Sequence, residues 1–463
     1  MTEFNFKTQL KFVPELDSKF QPIEMSNRAY IKAVQESGDF TIVKIALERE
    51  NGLVTKIETK VFRDMHKEAN MIYIERILKT LLWLKGGWKV IYAGPEYIGL
   101  YLQKAYAKGG EREFDAEFMR KVYDKEFTVN ITSSDLVPET KDNPKPLGMN
   151  LDGCRIGFDA GGSDRKVSAV LDGKPIYSEE VVWHPKSQND PEYHYEGIMD
   201  SIRTAASKMP RVDAIGISAA GIYINNEVKA ASLFIKVKQS DFDAKVKTMF
   251  LRIADEFGVP IEVANDGDVT ALAGAMSLND GCVLGIAMGT SEAAGYVDEQ
   301  HNITGWLNEL AFVPVDYNTE AVVDEWSGDI GCGVKYFSQD GVIKLAEKAG
   351  IPLDENLTPA EKLNEVQHLM EDNDKRAAHI YDSIGCYLGY TLAYYATFYD
   401  VRHVLLLGRV TSGKGGAILL DKAKLVLHDE FPELHINLIM PDEKSKRVGQ
   451  SVAASSLPVI KKK

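Results

Sequence analysis

The sequence predicts an α/β fold class with more than one domain, and three observations support this prediction. The length of 463 residues exceeds what a single hydrophobic core usually holds. Along most of the chain, short β-rich runs alternate with segments that have the apolar spacing of amphipathic helices. From about residue 153 the predicted order becomes strand, glycine turn, two strands, helix and strand. A sheet with helices on its face requires this order.

The first 150 residues are predicted to form an N-terminal α/β region. Two β-rich runs at 40–48 and 53–62 flank Asn51 and Gly52, a strong signal for a β-hairpin. An amphipathic helix follows, with apolar residues at helical spacing at Ile74, Ile77, Leu78, Leu81 and Leu82. A strand at 89–93 and a further helical stretch complete the region. This order loosely resembles the chain after residue 150, so a degenerate internal duplication and a simple run of α/β units both remain open.

A polar segment at about 133–148 contains three prolines and marks a predicted domain boundary. We therefore expect an N-terminal region at 1–150, a first lobe at 151–264 and a second lobe at 265–463. The second lobe is predicted to contain further alternating strands and helices, including a long helix at about 377–398.

Composition and charge narrow the class of protein. The hydrophobic fraction of 44% and the charged fraction of 26% are ordinary for a globular chain. The net charge of −14 argues against nucleic-acid and anionic-membrane partners, because both favour clustered Lys and Arg. No signal peptide and no bilayer-spanning apolar run are visible, so we expect a cytoplasmic protein. The four widely spaced cysteines favour buried, reduced thiols.

The first chemically informative segment is the run from Asp159 to Ser163 at the end of a predicted strand. Gly161 and Gly162 allow a sharp turn whose backbone N–H groups approach an anion, and Ser163 adds a hydroxyl donor. The carboxylate of Asp159 is suited to hold Mg²⁺ through water near bound phosphates. The alternative explanation is an ordinary hairpin turn with an exposed aspartate.

The second segment is Asn265-Asp266, which follows a predicted strand and precedes a helix. The dipole at a helix N-terminus favours the ionised form of Asp266, which can accept a proton from an alcohol that attacks a phosphoryl group. The alternative is a helix cap, a role that Asn and Asp perform well. Taken alone, this pair favours the cap.

Two further glycine turns follow predicted strands. The run from Gly289 to Ser291 has the hydroxyl and N–H groups of a second phosphate loop, although a plain β-turn explains it equally well. The strand that ends at Gly408 runs into a glycine-rich turn before a helix, which suits a nucleotide base or ribose close to the backbone.

The order of these segments resembles the actin, Hsp70 and sugar-kinase superfamily, and in detail the ROK family of bacterial sugar kinases and regulators. The resemblance covers about residues 153–460. It rests on the motifs VDAIGISAAG, VANDGDVTALAGA, AMGTSEAAGYVD and GWLNELAF. It implies an actin-like ATPase (ribonuclease H-like) fold with duplicated domains, preceded by the extra N-terminal α/β region.

The resemblance also implies ATP-dependent phosphorylation of a sugar hydroxyl, with ATP as co-substrate and Mg²⁺ as cofactor. Asp266 would be the general base, and Asp159 would hold Mg²⁺ through water. Asn265, Asn308 and Glu309 would bind the sugar. The residues that would surround the phosphates and the nucleotide are Gly161, Gly162, Ser163, Lys166, Gly289, Thr290, Ser291 and Gly408.

The chain also departs from the family pattern. Phe312 stands where the family often has histidine, and Val334 stands near the place of a frequent glutamate. Only Cys332 remains of the cysteine-rich zinc motif, so we expect no zinc. Glu292 and Arg409 stand where glycine is common. These changes leave the phosphate chemistry in place and the identity of the sugar open.

Two classes of function therefore follow from the sequence. Retention of Asp159, Asp266 and Glu309 favours a carbohydrate kinase, and a kinase of the FGGY group is a variant of the same chemistry. Loss of the histidine and of loop glycines favours a catalytically degenerate sugar sensor or scaffold. The N-terminal region has no matching catalytic residues and no helix-turn-helix, so we expect a structural or dimerising role, with a domain that covers the cleft as the alternative. The oligomeric state stays open, with a homodimer as one candidate.

Overall fold

The computed structural model describes residues 4–142, 146–441 and 443–460 of the chain. The N-terminal region contains α1 (Ile23–Glu36), β1 (Phe40–Glu48), β2 (Val54–Phe62), α2 (Lys67–Lys85), β3 (Lys89–Ala93), α3 (Glu96–Ala105), α4 (Glu113–Tyr123) and β4 (Thr128–Ile131). Its sheet has the order β2-β1-β3-β4, in which β1 pairs antiparallel with β2 and β3, and β3 pairs parallel with β4. The predicted hairpin is confirmed. Asn51 and Gly52 both have positive φ, which these residue types tolerate best.

The middle of the chain forms a five-stranded sheet. Its elements are β5 (Cys154–Ala160), β6 (Asp164–Leu171), β7 (Lys174–Val182), α5 (Pro191–Ala206), β8 (Ala214–Ala219), β9 (Ile222–Ile224), β10 (Glu227–Ala230), α6 (Gln239–Asp241), α7 (Met249–Phe257) and β11 (Ile261–Asn265). The sheet order is β11-β8-β5-β6-β7, and β5, β8 and β11 run parallel. Register therefore brings the strand ends Ala160, Ala219 and Asn265 to the same edge of the sheet.

The rest of the chain contains α8 (Asp266–Leu278), β12 (Val283–Met288), β13 (Glu292–Val297), α9 (Gln339–Lys348), α10 (Pro359–Glu371), α11 (Lys375–Tyr395), β14 (His403–Leu407), α12 (Gly413–Glu430), β15 (Asn437–Ile439) and α13 (Glu443–Ser455). These strands form a sheet of order β13-β12-β14-β15, in which β12, β14 and β15 run parallel. The ends of β12 and β14 are thus neighbours as well. No helix in the described ranges is both long enough and apolar enough to cross a membrane.

The N-terminal region shares one hydrophobic core with the part of the chain from Leu284 to Leu438, whereas the five-stranded sheet has a core of its own. Helices α1 and α2 both contribute to this shared core, and α1 packs against α11. Nearly all residues of α2 after its first turn are buried, and the Thr80 hydroxyl lies 2.7 Å from the Tyr394 hydroxyl of α11. The N-terminal region is therefore integrated into the fold and does not hang from it as a separate appendage.

Six buried charged side chains lie on α2 or pack against it, and they are called the α2 charge cluster below. They are the anions Glu75, Asp115 and Asp329 and the cations Arg76, Lys79 and Arg112. Asp329 comes from the loop before α9 and contacts all three cations, at 2.8 Å from Arg76, 2.8 Å from Lys79 and 3.1 Å from Arg112. Burial opposes ionisation of Asp329, but Arg76 and Lys79 hold its pKa below the ordinary value.

Helix α13 lies directly on the backbone of the five-stranded sheet. Gly157 of β5 and Gly216 of β8 are register partners, and together they form a flat surface under the helix. A methyl group placed on Gly157 would lie 1.7 Å from the Ser451 carbonyl oxygen, and one on Gly216 would lie 1.7 Å from the Ala454 carbonyl oxygen. Only glycine fits at these two positions.

The substitution Gly216→Ala should lower the free energy of unfolding by about 1–3 kcal/mol, because the new methyl group has no room beneath α13. The matched control is Gly285→Ala in β12, where the nearest atom to the new methyl group is 3.6 Å away. Urea unfolding of both variants checks the prediction. Equal unfolding midpoints would contradict it.

Candidate active site

Asp159 lies at the end of β5, at the edge where the three parallel strands end. Its side chain accepts a hydrogen bond of 2.9 Å from the Ser218 hydroxyl, which in turn accepts one of 3.1 Å from the Gln450 side-chain amide. Burial raises the pKa of Asp159 to about 6, and the nearby Lys166 ammonium works against that rise. The structure therefore holds this carboxyl in place at the predicted metal position.

Two lysines flank the turn from Gly161 to Ser163. The Lys166 ammonium lies 2.9 Å from Asp164 and 3.9 Å from Asp159. The ammonium of Lys186 lies over the turn, 3.2 Å from where a methyl group on Gly162 would be. Two cations beside a glycine turn provide the local positive charge that an otherwise acidic protein needs to bind phosphates.

Asn265, and not Asp266, is the N-cap of α8. The Asn265 side-chain oxygen accepts the Gly267 N–H at 2.7 Å, and its amide donates to the Gly221 carbonyl at 2.8 Å. Asp266 is the first residue of the helix, accepts the same N–H at 3.0 Å and remains partly exposed. Burial raises the pKa of Asp266 above its ordinary value, while Gly267 and the Lys186 charge oppose that rise. The carboxyl of Asp266 is thus placed to exchange a proton with a bound group.

Glu309 brings a further carboxyl close to Asp266. Burial, together with the charges of Asp266 and Asp268, raises the pKa of Glu309 to about 7. Burial likewise raises the pKa of Asp268 to about 7. Glu309 remains partly exposed, so this acidic group combines proton-holding capacity with access to a substrate.

The side chain of Asn308 is already engaged within the protein. It is 2% exposed, its amide donates to Asp268 at 2.9 Å, and its oxygen accepts the Tyr399 hydroxyl at 2.9 Å. Its φ of 53° fits the tolerance of asparagine for left-handed backbone. This geometry suits a residue that orients Glu309 and Asp268 better than one that contacts a sugar.

A cavity of about 410 Å³ opens beside these residues. Asn265 and Asp268 line it together with the segments 221–226 and 303–307. Strand β11 and Leu147 also line the cavity, and the N-terminal region contributes a wall through Glu50, Asn51, Leu53, Tyr123, Lys141 and Asp142. Asp266 and Glu309 adjoin the cavity in sequence but are not among its lining residues. The sequence predicts a structural or dimerising role for this region, with a domain that covers the cleft as the alternative.

The second glycine turn lies with Gly408 at the ends of β12 and β14. The Gly289 N–H donates to the Ser291 carbonyl at 3.0 Å, and the Arg409 guanidinium donates to the Thr290 hydroxyl at 3.2 Å. Gly408 has a φ of 94° and packs against the Met288 backbone so closely that no larger residue fits. A cavity of about 210 Å³ adjoins this turn, lined by Gln367, Tyr381 and the start of α12. The two glycine turns belong to different sheets, and in the described ranges no hydrogen bond joins them.

The departures from the family pattern have clear structural settings. Phe312 packs against Trp83 of α2, with 4.3 Å between ring centroids. Cys332 is fully buried, and burial raises the pKa of its thiol to about 12. In the described ranges, no group of three or more His, Cys, Asp or Glu side chains is arranged to hold a metal ion. A single buried thiol beside Lys79 does not fit zinc, so the absence of zinc stays a prediction.

Glu292 is buried where the family is rich in glycine. It is 3% exposed, and in the described part of the chain neither carboxyl oxygen has a hydrogen-bond partner. Burial raises the pKa of Glu292, and Glu309 adds to that rise. Its side chain points into the protein and does not fill the phosphate turn.

Sequence reasoning missed Lys186, Ser218, Gln450 and Tyr399. Lys186, Gln450 and Tyr399 belong to no motif, and the motif VDAIGISAAG contains Ser218 without marking its hydroxyl as a contact of Asp159. The one available signal was the polar loop after β7, which contains Lys186 and follows the strand pair that carries the first turn.

The fold of the chain agrees with that of solved ROK proteins. A ROK hexokinase from Thermus thermophilus superimposes with a TM-score of 0.51 and 17% identity, covering 65% of this chain and 97% of that chain. A ROK family transcriptional regulator, described as a homolog of the E. coli Mlc protein, gives a TM-score of 0.53 and 17% identity, covering 66% and 79%. At these identities the likeness shows the fold alone. No curated protein sequence matches the chain.

The sequence itself carries the family assignment. The model of the ROK family matches residues 155–449, which is more than half of the chain and includes every predicted site residue. The mixed α/β architecture with several sheets is the one that the sequence predicted. This chain belongs to the ROK family.

Proposed function

We propose that this chain is an ATP-dependent kinase that phosphorylates a hydroxyl group of a sugar or sugar derivative. The observation that carries the proposal is the setting of Asp266. Asn265 performs the capping of α8, and Asp266 is left partly exposed, with a raised pKa, beside Glu309 and close to Asp159. A helix cap explains Asn265 but does not explain this acidic group.

In this proposal Asp266 accepts the proton of the acceptor hydroxyl as that oxygen attacks the γ-phosphoryl group of ATP. Asn265 and Glu309 hold neighbouring sugar hydroxyls, and Asn308 orients Glu309 and Asp268 from behind. The cavity of about 410 Å³ accommodates the rest of the sugar. The sugar and the hydroxyl that is phosphorylated are left to experiment.

The residues present fit Mg²⁺ and a nucleotide. Mg²⁺ is usually bound through one or two carboxylates, waters and substrate phosphates, so Asp159 suffices on the protein side. When bound, the ion neutralises phosphate charge. Lys166, Lys186 and the 161–163 turn would hold phosphates at the first sheet, and the 289–291 turn with Gly408 would hold nucleotide at the second. The cavity of about 210 Å³ next to Gly408 is apolar on one side, where Tyr381 lies, and suits a flat base.

A sugar sensor or scaffold is the second candidate. Glu292 and Arg409 in place of loop glycines favour it. A coupled ADP-release assay across hexoses, N-acetyl amino sugars and pentoses separates the two functions. Turnover on any of these sugars supports the kinase. Binding of a sugar without turnover supports the sensor, and then dependence of binding on Glu309 is the next measurement.

The substitution Asp266→Asn should lower the turnover number by roughly 10²–10⁴, the usual contribution of a general base. Asparagine keeps the shape and the helix start but cannot take a proton. The thermal midpoint should change little, because Asn265 remains the cap. Steady-state kinetics on the best sugar gives the answer, and normal turnover in a folded variant would refute the role of Asp266.

The pH dependence of kcat/KM should show a limb at higher pH than an ordinary aspartate would give. Burial raises the pKa of Asp266, so the base becomes protonated and the rate falls while the pH is still above about 4. The rate should rise with pH through that limb. Initial rates measured between about pH 4.5 and about pH 8.5 test this. A flat profile over that range, from enzyme shown to survive each pH, would contradict it.

The substitution Lys186→Ala should weaken binding of a non-hydrolysable Mg²⁺–ATP analogue by about tenfold, because one charge-assisted contact to phosphate is lost. Lys174→Ala is the control, since Lys174 is an exposed lysine at the opposite end of β7. Calorimetry measures both affinities. Equal affinities would remove Lys186 from the phosphate site.

A further inference from the structure

The candidate sugar-binding segment is held by the backbone of α2. The N–H of Asn308 donates to the Leu84 carbonyl at 3.0 Å, and the N–H of Glu309 donates to the Trp83 carbonyl at 3.0 Å. Both carbonyls lie in the last turn of α2, where helix carbonyls have no partner within the helix. The N-terminal region therefore fixes the backbone of Glu309, the candidate sugar ligand, and of Asn308 beside it.

Side chains reinforce this backbone contact. Trp83 is fully buried, packs on Phe312 and donates its indole N–H to Asp115 at 2.6 Å. Phe114 and Phe118 of α4 close the aromatic group around Phe312. The family histidine is thus replaced by an aromatic anchor that faces the N-terminal region.

Side chains of the N-terminal region hold two further loops, one through α2 and one through Arg49. Asp329 of the α2 charge cluster lies in the segment that resembles the zinc motif, and Lys79 joins it to Asp115, at 2.8 Å and 3.5 Å. Next to the cavity, the buried Arg49 side chain donates to the Gly305 carbonyl at 3.4 Å and pairs with Asp142. The loops that contain Gly305 and Asp329 are therefore both held by residues before position 143.

We propose that α2 is a positioning element for substrate binding, so that the N-terminal region is a working part of the active site. This inference rests on the proposed function for its kinetic consequence only. The structural part stands alone: loosening the end of α2 must loosen the segment 305–312. A scaffold or dimerisation region would not have this local effect.

Gly86, which ends α2, offers a selective test. It has a φ of 81°, and a methyl group there would lie 1.9 Å from the Tyr123 hydroxyl and 2.9 Å from Leu307. Leu307 directly precedes Asn308, so Gly86→Ala pushes on the segment itself. Gly38 is the matched control, since its φ of 68° imposes a similar backbone strain while no atom lies within 4 Å of the new methyl group.

Hydrogen–deuterium exchange of the full-length protein measures the positioning directly. In Gly86→Ala, peptides that cover 305–312 should exchange at least about tenfold faster than in the wild type, with little change elsewhere in the second sheet. In Gly38→Ala they should exchange at the wild-type rate. Equal rates in a folded Gly86→Ala protein would overturn the proposal.

A second pair of variants covers the case in which Gly86→Ala does not fold. Trp83→Phe keeps an aromatic ring and loses the bond to Asp115, whereas Tyr73→Phe on the same helix loses only a bond of 2.9 Å to Thr59. Faster exchange at 305–312 in Trp83→Phe alone supports the proposal. If the segment 305–312 exchanges at the same rate in Trp83→Phe as in Tyr73→Phe, the proposal is overturned.

Kinetics complete the test. With the sugar that the wild type turns over best, KM for sugar should rise by about tenfold in Gly86→Ala or Trp83→Phe, while the affinity for the Mg²⁺–ATP analogue stays the same. An unchanged KM alongside faster exchange overturns a role in substrate binding. If the wild type phosphorylates no sugar, the proposed function fails, and the exchange data still decide whether α2 positions the segment.

Discussion

The segment that carries Phe312 and Glu309 depends on the electrostatic balance of the α2 charge cluster. Three cations and three anions are buried there, and a buried charge is tolerated only when it is paired and hydrogen-bonded. Asp329 is the one member that comes from beyond residue 150 of the chain, and it contacts three cations at once. If the loop before α9 moved away from α2, three buried cations would lose their contact with Asp329. This restriction fixes the geometry around Phe312 and Glu309.

The edge of the five-stranded sheet, which carries the candidate phosphate turn, is built differently. The ends of β5, β8 and β11 bring Asp159, Ser218 and Asp266 together through sheet register alone, with α13 lying on the glycines beneath. Such an edge is where open α/β sheets usually bind ligands. The part of the candidate site around Asp159 thus follows from strand geometry. The part around Glu309 is supported by the N-terminal region, which the family pattern does not include.

The sequence predicted the hairpin and the strand ends well, because their signals are local. Asn51-Gly52 predicts a hairpin. Asp159 lies at the end of a recognisable strand, and Asp266 directly follows another. The part of the candidate site around Glu309 depends on contacts between distant residues, such as Asn308 with Leu84 and Arg76 with Asp329. No local pattern encodes these contacts. The same limit explains why the sequence did not predict the bonds of Asn308 to Asp268 and Tyr399, or the position of Lys186, which no motif marks.

The packing of α13 on the five-stranded sheet has a consequence for folding during synthesis. Strand β5 and helix α13 are separated by most of the chain, yet the helix covers Gly157 and Gly216 in the middle of the five-stranded sheet. During synthesis, the central strands of that sheet emerge from the ribosome long before the helix that covers them. The surface over Gly157 and Gly216 stays uncovered until α13 has been synthesised, and a sheet surface exposed during folding makes a chain prone to aggregate.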